Sequence, residues 1–157
     1  MKDKLKNKVV FFDFDGVLCS YQAGKNTVHI PETDYLRNHI DDQCDPYEFS
    51  KAPKTFQDII AQLDANKTFV LTVCKTSFEY ANKIKFIKDK YPSIPEGNIL
   101  FVAEANFKLP LIEALYSNYF QYSVNKSDIV LVDDTINTLF DVEDAGYTCY
   151  HNSSFIP

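Results

Sequence analysis

Val9-Val10-Phe11-Phe12-Asp13-Phe14-Asp15-Gly16-Val17 is the stretch that decides the fold class. It opens on a continuous apolar run rather than an alternating one, and a strand buried on both faces reads that way. The pattern predicts a strand over residues 9–14, and two carboxylates fall at its end. Side chains two residues apart leave a strand on the same side. Asp13 and Asp15 therefore start out facing one way, although a turn at Gly16 is able to re-aim the second. Adjacent carboxylates repel each other, and a hard cation such as Mg²⁺ relieves that repulsion.

Four similar apolar or β-branched runs follow, at residues 68–73, 99–102, 129–132 and 147–150. Helical spacing lies between most of them. Phe56, Ile59, Ile60 and Leu63 form one stripe, and Tyr80, Ile84, Ile87 and Tyr91 a second, with Lys83, Lys85, Lys88 and Lys90 mostly off it. Leu111, Ile112, Leu115 and Tyr119 form a third, and Leu139 and Val142 belong to a shorter fourth that Gly146 ends. Alternating strands and helices predict an α/β fold: an open parallel five-stranded sheet, Rossmann-type, with helices on both faces. The expected organisation is a single domain over residues 1–157, interrupted after the first strand by a short insertion at 19–53. That insertion lacks strong periodicity apart from a short helical pattern near 33–40, and loops of such length often serve as lids or binding loops.

Composition narrows the function. The 157 residues carry a net charge of −6, which disfavours a general nucleic-acid binder needing a basic surface. Of the 16 basic residues only Arg37 is an arginine, so lysines, backbone amides or a metal must hold any phosphate. The four cysteines, Cys19, Cys44, Cys74 and Cys149, form no CxxC pair and read as reduced thiols. No apolar run approaches the roughly 20 residues that span a bilayer, and the apolar stretch after Lys8 is broken at once by Asp13. The expectation is a cytoplasmic, unprocessed chain without membrane attachment; oligomeric state is not legible. Cys19, His29, His39 and Cys44 cluster in the insertion, but their spacing matches no usual zinc pattern.

Ligands in open parallel sheets bind beyond the carboxyl ends of the strands. The fourth predicted strand ends there in Val132-Asp133-Asp134-Thr135, a second acidic pair at the same sheet edge as the first. The second strand ends in Leu71-Thr72-Val73, with the Thr72 hydroxyl near its end. Lys108 stands at the start of the third helical stripe, where a cation opposes the helix dipole and so calls for another reason to be there. Lys75, just past Thr72, competes with it as a phosphate-binding lysine.

Asp13-Phe14-Asp15-Gly16-Val17, Thr72, Lys108 and Asp133-Asp134, in that order, resemble the four motifs of the haloacid dehalogenase superfamily. The resemblance implies a phosphatase-type member with a small or absent cap. Asp13 would be the nucleophile that forms an aspartyl-phosphate, and Asp15 the general acid and then base. Thr72 and Lys108 would hold the phosphoryl oxygens. Mg²⁺ would sit on Asp13, the backbone carbonyl of Asp15 and Asp133, with Asp134 as a ligand or a neighbour to one. The substrate would be a phosphorylated small molecule or a larger phosphate ester. Asp15 separates phosphatases and phosphomutases from the dehalogenases, which lack it. A phosphomutase usually carries a larger cap. Two non-enzyme readings stand beside these: a catalytically inactive member serving as a binding module, and a receiver-like phospho-signalling domain. A receiver would carry its phosphoacceptor Asp on a middle strand, whereas here the third run ends in Ala103-Glu104.

Overall fold

The computed structural model describes residues 2–20, 45–48 and 50–155. Most of the 19–53 insertion, including the helical pattern near 33–40, His29, His39 and Cys44, therefore lies outside the described residues. The strands are β1 (Val9–Phe12), β2 (Thr68–Val73), β3 (Ile99–Val102), β4 (Ile129–Asp133) and β5 (Thr148–His151). They form one sheet in the order β3-β2-β1-β4-β5, and every pairing is parallel. The α-helices among the described residues are α1 (Lys54–Ile60), α2 (Ser77–Lys90), α3 (Lys108–Leu115) and α4 (Ile136–Asp144).

The continuous apolar runs are explained by helices on both faces. Val10, Phe12 and Phe14 pack with Phe56, Ile59 and Ile60 of α1 and Phe86 and Ile87 of α2. Val9 and Phe11 turn the other way, toward Ile112 of α3 and Leu139 and Val142 of α4. Burying one such side chain contributes about 1.5–3 kcal/mol, so β1, buried at every position, anchors both halves of the core. The strand order reverses between β1 and β4. Crevices at such switch points are where open α/β sheets bind ligands, and Asp13 and Asp133 stand on either side of this one.

Two details differ from the sequence reading. The third helical stripe does not run through to Tyr119, which is 71% exposed. After Leu115 the helix widens into a π turn over Tyr116–Phe120. The added residue per turn shifts the phase, and Tyr116 and Phe120 face the core in its place. The second difference is Lys83, placed off the apolar stripe of α2 by the sequence reading yet fully buried.

The insertion leaves and rejoins the domain at one point. Ser20 and Lys51 exchange two backbone hydrogen bonds, at 2.8 and 3.0 Å. At the far end of the chain, Gly146 follows α4 with φ +93°. An added Cβ would meet only the Lys126 side chain, at 3.8 Å, so strain and not crowding sets the cost of substitution. Gly146→Ala is expected to lower stability by about 1 kcal/mol, measurable as a shifted denaturant midpoint.

Candidate active site

The site is assembled at the carboxyl edge of the sheet. β1 ends at Phe12, and the Asp13 amide still reaches across to the Val132 carbonyl at 2.9 Å. The chain then closes a tight loop: the amides of Leu18 and Cys19 both donate to the Phe14 carbonyl at 2.9 Å. Gly16 supplies the positive φ of 74° that this loop needs. Asn152 donates to the Gly16 carbonyl at 2.7 Å and Tyr91 to the Leu18 carbonyl at 2.7 Å, so both arms of the loop are pinned from outside.

Asp13 and Asp15 are both buried, and they meet different lysines. Lys108, the first residue of α3, places its Nζ 3.0 Å from Asp13 and 2.7 Å from Asp133. This answers why a lysine begins a helix: two buried carboxylates outweigh the unfavourable dipole. Lys75 is exposed, so of the two competing lysines it is Lys108 that the fold brings to Asp13.

Asp15 is held by Lys83, at 2.5 Å. The same ammonium reaches Glu79 at 2.9 Å, the Thr72 hydroxyl at 3.0 Å and the Val73 carbonyl at 2.6 Å. Thr72 thus comes to the site, but its hydroxyl faces Lys83, with a longer 3.3 Å contact to the Val73 carbonyl. Lys83 and Glu79 were missed by the sequence reading. A usable signal existed: Thr76 and Glu79 have the spacing of a capping box, and Glu79, Lys83 and Ile87 repeat every fourth residue on one helix face. In the structure Thr76 does cap α2, its hydroxyl accepting from the Glu79 amide at 3.1 Å.

Asp13, Asp133 and Asp134 each bring a carboxylate oxygen within 4.8 Å of the others. Three hard oxygens on facing strand ends suit a divalent cation such as Mg²⁺. The electrostatics point the same way. Burial pushes the Asp13 carboxyl up to about 8; Lys108 pulls it down, while Asp133 and Asp15 push it further up. A group so reluctant to ionise gains from added positive charge. Burial alone would depress both Lys83 and Lys108, but their carboxylate partners more than offset it and hold both above the ordinary lysine range.

No protein-family model matches the chain, and no curated protein matches it. Among the described residues no helix is long and apolar enough to cross a membrane.

Proposed function

We propose that this protein is a Mg²⁺-dependent phosphomonoester hydrolase of the haloacid dehalogenase type, working through an aspartyl-phosphate on Asp13. The observation that carries the reading is the placement of the buried Asp13, Lys108 and Asp133 with the half-buried Asp134 in one cluster at the switch point of the sheet.

Asp13, Asp133 and Asp134 are the side chains that would hold the metal. When bound, Mg²⁺ supplies charge neutralisation of the phosphoryl oxygens. The chain's own groups do the rest. An Asp13 oxygen attacks phosphorus, the bond from phosphorus to the ester oxygen breaks, and Asp15 gives that oxygen its proton. In the second half Asp15 takes a proton from water, the water oxygen attacks phosphorus, and the Asp13–phosphate bond breaks to release inorganic phosphate. Splitting one displacement into two in this way is the gain from a carboxylate nucleophile. Lys108, beside Asp13, is placed to hold a phosphoryl oxygen.

A turnover assay with an aryl phosphate, followed by a panel of phosphorylated metabolites, tests the reading. Mg²⁺-dependent phosphate release, with hydroxylamine-labile phosphate on the protein, is the expected result. Purified protein that binds phosphate esters without turning any over would favour the inactive binding module instead.

A further inference from the structure

The second buried lysine has no part in the mechanism above. Lys83 is 0% exposed and reaches across the end of β2 from α2, on the sheet face opposite α3. Its three ammonium hydrogens face oxygens of Asp15, Glu79, Thr72 and Val73, all within 3.0 Å. The Phe14 ring covers it, with the centroid 5.2 Å from Nζ.

Glu79 is fixed as firmly. Its second oxygen accepts from the Lys75 amide at 2.9 Å, and its own amide is capped by Thr76. The cluster therefore ties three things together: the loop after β2, the first turns of α2, and the carboxylate of Asp15.

Stability alone does not explain such a cluster. Dehydrating a lysine and two carboxylates is costly, and apolar residues of similar volume in place of a buried ion pair are often as stable or more so. What the ions supply and an apolar side chain does not is a fixed direction for Asp15. The two lysines divide the site. Lys108 faces the nucleophile and the metal ligands, and Lys83 faces the acid/base.

We infer that Lys83 is the positioning residue of Asp15, holding one of its carboxylate oxygens so that the carboxyl group stays aimed at the ester oxygen that leaves Asp13-bound phosphorus. Glu79 and the Thr72 hydroxyl hold Lys83 in turn. Thr72 acts here as a support of the acid/base. This inference rests on the phosphoryl-transfer reading and adds to it the device that orients the proton-transfer step.

The test compares Lys83→Met with the double variant Lys83→Met/Glu79→Leu, which leaves no uncompensated glutamate and keeps the fold accessible if the single variant unfolds. Each is assayed on a 4-nitrophenyl phosphate, whose leaving group departs without a proton, and on an alkyl phosphate, whose leaving group needs one. General acid–base catalysis is worth roughly 10²–10⁴-fold. A misaimed Asp15 is expected to slow phosphorylation of the protein by the alkyl ester about 10²-fold, and phosphorylation by the aryl ester at least tenfold less. Hydroxylamine-labile phosphate on Asp13 should accumulate, because water activation is slowed as well. A merely structural lysine would depress both esters equally and leave no trapped phosphate. Equal losses in the rate of protein phosphorylation by the two esters, or wild-type rates in the folded double variant, would overturn the assignment. Wild-type protein that forms no phospho-Asp13 would instead sink the hydrolase reading, so the two failures are distinct.

Discussion

Asp13→Asn is expected to reduce phosphate release by roughly 10⁴-fold or more, to the level of the uncatalysed background, because an amide cannot form the covalent intermediate. The same substitution is expected to stabilise the metal-free protein. Burial holds the Asp13 carboxyl at about 8, against an ordinary value of 3.8. Between those two values the unfolded chain has released a proton that the folded chain keeps. The folded state binds more protons there, so stability falls as pH rises through the window. Asparagine does not titrate and escapes this loss. In EDTA the variant should therefore melt above wild type at pH 8, by at least about 1 kcal/mol or 2–4 °C. The gap should narrow as pH falls through that window and close only near 3.8, where the unfolded chain keeps its proton as well. Adding Mg²⁺ should narrow the gap at pH 8, since a ligand that binds only the folded wild type raises its melting point. A variant with wild-type turnover would contradict the nucleophile assignment. A variant less stable than wild type at pH 8 would contradict a buried carboxyl held above its ordinary range.

What the sequence disclosed about this site depended on how local each signal was. The strand that precedes Asp13 is read from four neighbouring apolar residues, and the position of the carboxylates at its end needs no knowledge of the rest of the chain. Asp133 follows from the same logic applied to β4. That these two ends adjoin is a consequence of the sheet order, which parallel α/β architecture restricts to a few possibilities. Lys83 was hidden for the opposite reason. It sits among Lys85, Lys88 and Lys90, and nothing local separates a lysine that faces water from one that faces Asp15, 68 residues earlier in the chain. Tyr119 failed in the other direction. Its spacing fits a regular α-helix, and nothing local in the sequence marks the π turn over Tyr116–Phe120 that shifts the phase. Thr72 was legible as a strand-end hydroxyl, but its engagement with Lys83 was not, because its partner was not.

Asp15→Asn separates the acid/base role from the metal site. Asparagine has nearly the same shape and keeps an oxygen for Lys83 to meet, while Glu79 remains as the lysine's counter-charge at 2.9 Å. The fold should therefore hold, and the carboxylates of Asp13, Asp133 and Asp134 should be left in place to bind Mg²⁺. Loss of the proton donor and acceptor is expected to slow turnover by roughly 10²–10⁴-fold. The loss should fall most heavily on esters with basic leaving groups, and phosphate should remain trapped on Asp13 because no base activates water. Mg²⁺ titration by calorimetry and acid-quench labelling with a radioactive phosphate ester measure the two halves. A variant that loses Mg²⁺ affinity in step with its rate would make Asp15 a metal-site residue. A variant that retains both affinity and rate would remove it from the chemistry, and Lys83 would then be holding a carboxylate that the reaction does not use.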